Sequence, residues 1–304
     1  NHWVFIDWAE IDKRGQVTVI NAMYVKALRI MGRFSGLLRI PKKKKTYRKM
    51  AKKVKNSINR LLWNPDKGVY ADARENGILS KRISQQSNAA LVAFDVAPTK
   101  RYSQIFKAIS DKKRIYLSHS GLGEKTASEF DENEKVVKAQ PFYSHILHEA
   151  YRKMGKESET LSHINEDWGN WVQKGYTTWP ETWQMETITS LCHGWSSTPS
   201  YDLMVDVLGI RLLKPGFKTF LIKPVLAGLT FAKGACPTQF GSIIIEWKLS
   251  KKEFVLSLEV PPGSRAKIEL PINELPGSHI LLNGKTINAY SFWLKAGNHI
   301  IIAD

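Results

Sequence analysis

The chain has 304 residues, 43% hydrophobic and 24% charged, with 45 Lys and Arg against 28 Asp and Glu for a net charge of +17. That length supports a large core and two domains, and the absence of any run of about eighteen apolar residues excludes a membrane-spanning helix. Two cysteines, Cys192 and Cys236, are too few for a disulfide framework and lack metal-ligand spacing, so neither a stapled fold nor a metal or other cofactor is expected.

The chain opens without methionine in the patterned sequence His2-Trp-Val-Phe-Ile-Asp7-Trp8, as expected of a fragment whose natural start lies elsewhere. Asp7 and Trp8 end a short apolar run and suit either a helix mouth lining a pocket or a simple cap and core residue. From Gly15 to Gly32, Val17, Ile20, Asn21, Tyr24, Leu28 and Met31 fall on one helical face and predict a helix buried along that face. A second helix is predicted from Thr46 to Leu62, stopped by Asn64-Pro65-Asp66-Lys67-Gly68. Its Val54, Ile58, Leu61 and Leu62 form a core stripe. Ten of the nineteen residues from Lys42 to Arg60 are Lys or Arg. With only Tyr47 and Trp63 as nearby aromatics and no reading motif, this is a solvated basic face suited to anionic surfaces or glycans, and no nucleic-acid partner is expected.

An extended piece at Val69–Asp72 precedes helices at Ser87–Val96 and Tyr102–Asp111. The polar stretch from Ser118 to Glu134 reads as an exposed loop. Phe142, Tyr143, Ile146, Leu147, Ala150, Tyr151 and Met154 then repeat at the spacing of a buried stripe. A helix from Ser158 to Gln173 should turn Leu161, Ile164, Trp168 and Val172 inward, and the last helix runs from Tyr201 to Leu208. Helices in consecutive pairs joined by loops suggest an α/α-hairpin toroid or solenoid. Beyond Gly209 the period changes to two. Strands at 219–223, 229–233, 242–249, 254–260 and 266–270, punctuated by Gly and Pro, predict an antiparallel β-sandwich. The expected organisation is a helical domain over 1–208 and a sandwich over 209–304.

Between the two parts lies Tyr176-Thr-Thr-Trp-Pro-Glu181-Thr-Trp-Gln-Met-Glu-Thr-Ile-Thr-Ser-Leu-Cys-His193-Gly-Trp195. It holds one candidate carboxylate, Glu181, a histidine and three tryptophans. Indole faces stack on the C–H surface of a sugar ring, and a carboxylate among them can activate water at an anomeric carbon. The competing reading is a buried Trp-rich helix end capped by Glu181. Cys192 beside His193 invites a thiol-nucleophile reading, but neighbours in sequence point apart, and a small buried residue is the simpler account.

Several motifs in order carry a resemblance: Phe5-Ile-Asp-Trp8, Arg14-Gly15, Asn21-Ala22, Ala139-Gln-Pro-Phe-Tyr-Ser144, Trp168-Gly-Asn-Trp171, Gly175-Tyr-Thr-Thr-Trp-Pro-Glu181-Thr-Trp183, Ser190-Leu-Cys-His-Gly-Trp-Ser196, Val207-Leu-Gly-Ile-Arg211, Pro215-Gly-Phe217 and Gly234-Ala-Cys-Pro-Thr-Gln-Phe-Gly241. Together they resemble the C-terminal half of bacterial α-L-rhamnosidases, glycoside hydrolase family 78. The match is loose from Pro41 to Glu134.

The resemblance implies an α+β multidomain fold, a partial (α/α)6 barrel followed by an antiparallel β-sandwich. It also implies hydrolysis of terminal α-L-rhamnosyl bonds with inversion, on a rhamnose-containing oligosaccharide, polysaccharide or glycoside. By motif position Glu181 corresponds to the general base, with Glu186 as local rival. His193 corresponds to a sugar-binding histidine, and Asp7, Trp8, Trp179 and Trp195 are pocket candidates. The family's general acid lies in a segment that this chain does not contain; Asp7 and Asp12 are the nearest carboxylates, and neither sits in that motif. An incomplete barrel is expected to expose helix faces that missing hairpins would cover. Two other readings remain: a related barrel enzyme acting on an anionic glycan, and a non-catalytic glycan-binding module.

Overall fold

The computed structural model describes residues 4–119, 131–184 and 189–304. Glu186, most of the polar stretch expected as a loop at 118–134 and the first three residues lie outside them. The chain divides into two compact units: a helical unit, Asn1–Glu159 with Asn165–Thr198, and a β-rich unit, Thr160–Ile164 with Pro199–Asp304.

In the helical unit, α1 (Thr18–Leu37) and α2 (Pro41–Leu61) pack against each other across a connection at 38–40. Pro41 starts α2 five residues earlier than the periodicity suggested, because its fixed φ suits the first helical turn, where no N–H partner is needed. Next comes α3 (Gln85–Ala93), capped by Ser84, whose hydroxyl accepts from the Ser87 N–H at 3.1 Å. All nine α3 residues are buried. It packs on α1 on one side and α5 (Ser144–Lys153) on the other, while α4 (Tyr102–Ser110) also contacts it. Alternate helices therefore pack side by side in an inner row, as in a toroid of hairpins. The α5 stripe is as expected, with Tyr143, Ile146, Leu147, Ala150 and Tyr151 in the core.

Two helical faces depart from expectation. In α1 the buried residues are Thr18, Val19, Ala22, Val25, Leu28, Gly32 and Ser35, whereas Ile20, Tyr24 and Met31 are exposed. The helix has apolar residues on opposite sides, and its buried side packs on its neighbours, with Gly32 facing Tyr47 and Arg48 of α2. The helix expected at 158–173 is interrupted by a π-turn, Ile164–Trp168. The extra residue of a π-turn rotates everything after it. Trp168 remains buried, but Trp171 takes the inward position and Val172 is exposed.

In the β-rich unit a six-stranded sheet runs in the order Phe231–Thr238, Gly241–Leu249, Phe254–Val260, Gly297–Ala303, Ile280–Leu282, Lys285–Ile287. A four-stranded sheet runs Ser291–Leu294, Arg265–Glu269, Thr219–Ile222, Ile210–Leu212. All pairings are antiparallel except one, the parallel ladder of Arg265–Ile268 with Thr219–Ile222. Strict alternation buries Ile243, Ile245 and Trp247 from one strand and Phe254, Leu256, Leu258 and Val260 from the next. The last apolar helix belongs to this core: Val207 and Leu208 pack into it, and the Trp247 indole donates to the Val207 carbonyl at 2.8 Å. Gly209 makes the turn into the first strand with φ 74°, and a Cβ there would lie 2.3 Å from the Lys223 carbonyl carbon.

Candidate active site

The described residues on either side of Glu181, 178–184 and 189–193, pair with each other and are not a helix end. The Thr178 hydroxyl donates to the Leu191 carbonyl at 2.7 Å, and the His193 N–H to the Trp179 carbonyl at 2.8 Å. Further in, the Glu181 N–H donates to the Ser190 carbonyl at 2.8 Å, and the Thr182 and Thr189 hydroxyls meet at 3.2 Å. This pairing fixes the backbone on both sides of Glu181 and turns its carboxyl, 9% exposed, into a polar recess.

Three groups converge on that carboxyl. Oε1 accepts the Trp8 indole N–H at 2.8 Å. Oε2 accepts the Ser190 N–H at a longer 3.3 Å and lies 3.7 Å from His193 Nδ1. Around them is an aromatic wall. Phe5 meets Trp8 edge-on at 5.0 Å between centroids and is parallel to Trp195 at 6.3 Å, while Trp195 contacts Phe142 at 4.6 Å and the His193 ring at 4.3 Å. Trp195 is 41% exposed and presents an indole surface to solvent. The sequence candidates Trp8, Glu181, His193 and Trp195 thus come together.

Asp7 and Trp179 lie elsewhere in the same framework. Asp7 is 2% exposed and both its oxygens are occupied: Oδ1 accepts the Trp8 N–H at 3.0 Å, and Oδ2 accepts Gln86 Nε2 at 2.7 Å and the Gln140 N–H at 2.9 Å. Desolvation pushes its carboxyl up to about 7 against the pull of those donors. It anchors the segment bearing Trp8. Trp179 lies tilted 6.2 Å from Trp171, which with Trp168 and Trp183 forms a packing cluster supporting the loop. Cys192 is exposed, not the small buried residue expected, and Cys236 is buried.

Sequence reasoning missed Gln140, Phe5 and Phe142. Gln140 is fully buried and ties both halves of the site together. Its N–H holds Asp7, its Oε1 accepts the Trp183 N–H at 3.0 Å, and its Nε2 donates to Gln184 Oε1 at 2.9 Å. Phe142 read as one more apolar position of the α5 stripe; only its place just ahead of the helix, in a 3-10 turn, hinted at another use.

A second buried polar cluster lies in the same unit. Asp72 accepts from the Ser84 and Ser87 hydroxyls at 2.5 and 2.7 Å, and burial pushes its carboxyl up to about 7. Asp12, gripped by Arg14 at 2.8 and 2.9 Å and by Ser80 at 2.7 Å, is held down at about 2.

The family model described as the bacterial alpha-L-rhamnosidase six-hairpin glycosidase domain matches residues 1–206, and that of the bacterial alpha-L-rhamnosidase C-terminal domain matches residues 209–279. An alpha-L-rhamnosidase of Formosa agariphila is 29% identical over 143 residues, 43% of this chain and 15% of its own length. One from Alteromonas sp. (strain LOR) is 29% identical over 141 residues, with the same two coverages. Among solved structures, the rhamnosidase of Bacillus sp. GL1 superposes with TM-score 0.71 at 24% identity, over 88% of this chain and 28% of that one. The Dictyoglumus thermophilum α-L-rhamnosidase superposes with TM-score 0.77 at 14% identity, over 100% of this chain and 34% of that one. The chain therefore spans 15% of the length of these curated relatives, and the structural likenesses establish the fold.

Proposed function

Because the chain belongs to the bacterial α-L-rhamnosidase family, whose six-hairpin domain model matches 1–206, we propose that it is the water-activating part of an inverting α-L-rhamnosidase acting on rhamnose-containing glycosides. The supporting observation is the convergence of Trp8 and His193 on the buried Glu181 carboxylate. In this reading Glu181 is the general base. Its Oε1 is engaged by the indole, and Oε2, with longer contacts, takes the proton of the attacking water. His193 hydrogen-bonds a sugar hydroxyl, and Trp195 walls the ring.

An inverting enzyme needs a second carboxyl roughly 6.5–9.5 Å away to protonate the leaving oxygen. Asp7 is enclosed by three donors and Asp12 is chelated by Arg14. Neither suits that role, and in this reading the acid comes from the segment that the family resemblance implies upstream of Phe5-Ile-Asp-Trp8. Replacing Glu181 by Gln in the whole protein should lower kcat on p-nitrophenyl α-L-rhamnoside by roughly 10²–10⁴-fold while L-rhamnose binding persists; unchanged turnover would refute the base assignment. The 304-residue chain alone should release no nitrophenol, and full activity from it would place the acid within this sequence.

The exposed basic face of α2 supports an anionic rhamnose-containing glycan as the natural substrate. In that case an anionic rhamnoside is turned over faster than a neutral one at low salt, and the preference disappears at high salt.

A further inference from the structure

We propose that Trp8 is a positioning residue for Glu181: its indole N–H locks the carboxylate so that Oε2 faces the attacking water. This deepens the reading of Glu181 as base and rests on it. Three observations carry the inference. The bond is short, 2.8 Å, and joins residues 173 positions apart, so tertiary structure alone brings them together. The indole is itself immobilised, by the edge of Phe5 at 5.0 Å and through its backbone N–H, which Asp7 holds at 3.0 Å. The two ends of the bond are also tied through a separate route. Gln140 grips Asp7 with its backbone and, with its side-chain amide, the backbone of Trp183 two residues beyond Glu181. Trp8, Asp7, Gln140, Trp183 and Glu181 form a closed circuit, and a shift of the carboxylate or its holder breaks one of these bonds.

The chemistry gives this circuit a purpose. A carboxylate on a flexible stem samples orientations in which neither oxygen is aligned with the water. A donor fixed on Oε1 removes that freedom and leaves Oε2 as the acceptor. Displacements of about 1 Å in a catalytic group can cost up to 10²-fold in rate, so a holder of this kind acts on kcat. A pure sugar wall would act on KM.

The test is made in the full-length protein that carries this chain. Trp8→Phe retains a ring against Phe5 and deletes the N–H donor; 3-benzothienylalanine at the same position retains the bicyclic shape and also lacks the donor. Both should lower kcat by about 10- to 100-fold, the effect of losing a hydrogen bond to a charged group, with KM within about twofold. The same replacement is then made in a Glu181→Ala background rescued with azide, which is already anionic and attacks the anomeric carbon without a base. There Trp8→Phe should change the azide-dependent rate by less than about twofold, since its target is gone.

Equal losses in both backgrounds would overturn the proposal and make Trp8 a structural residue. A raised KM with unchanged kcat would overturn it in favour of a sugar wall. Should Trp8→Phe fail to fold, the isosteric benzothienyl variant decides the question. Wild-type turnover from Glu181→Ala without azide would instead show that the base reading had failed, a separate result from any of these.

Discussion

Two buried carboxyls of the helical unit keep their protons to about pH 7, Asp7 and Asp72. In the unfolded chain each ionises near 3.8, so between about pH 4 and 7 the unfolded state releases protons that the native state retains. Stability therefore falls as pH rises through that window, by up to about 4 kcal/mol for each group, and is flat above it. Asp12, held at about 2, acts the other way and costs stability only as pH drops below about 4. Asp72 faces Asp12, the Ser84 and Ser87 hydroxyls and the charge of Arg82. Replacing Asp72 by Asn should reduce by about half the decline of the urea midpoint between pH 4 and 7; an unaltered slope would show that Asp72 ionises normally. At this scale the sequence was partly legible. Motif order singled out Glu181 and His193, and the structure brings both to one recess with Trp8 and Trp195. Gln140 and its bond to Asp7 were not legible, because a hydrogen bond between residues 133 positions apart leaves no periodic trace in the chain.

Among the elements, α1 is the one whose two faces conflict. It buries small residues against its neighbours and leaves Ile20, Met23, Tyr24, Met31, Phe34 and Leu37 exposed at helical spacing. Apolar residues at such intervals suit packing against further helices. We propose that helices of the longer parent protein cover this side. Ile20→Glu with Met31→Glu should then leave the melting temperature of the 304-residue chain within about a degree or two and destabilise the whole protein by about 2–4 kcal/mol. Equal effects on both would mean that the stripe faces water in the parent as well. Periodicity located α1 but chose the wrong face, since a helix with apolar residues on both sides gives two stripes and the residues do not say which is covered. The π-turn at Ile164–Trp168 misled in a different way, shifting the buried position from Val172 to Trp171. In the β-rich unit the long alternating strands were legible. The hairpin at Ile280–Ile287 was passed over although Asn283-Gly284, both at positive φ, is a strong two-residue turn signal.

For the molecule as a whole, a net charge of +17 sets how it meets its surroundings. Ten Lys and Arg lie between Lys42 and Arg60, and α2 buries only Ala51 and Ile58. Affinity for an anionic rhamnose-containing polysaccharide should fall steeply between about 50 and 200 mM salt, and Lys42–Lys45→Gln should flatten that dependence with turnover of a neutral aryl rhamnoside unchanged. Salt-independent binding would rule out this face. The order of helices followed by strands was legible from the change of period near Gly209, whereas the β-rich unit itself begins at Pro199. The membership of Val207 and Leu208 in the sandwich core was not, because an apolar helix carries no label for which core it enters. The bond between Trp8 and Glu181 also bears on how the protein is made. The ribosome delivers Trp8 173 residues ahead of its partner. At about 5–20 residues per second, that is a delay of about 10–35 s. Throughout that interval the indole is present and the carboxylate is not yet made, so the site is assembled from its holder towards its base.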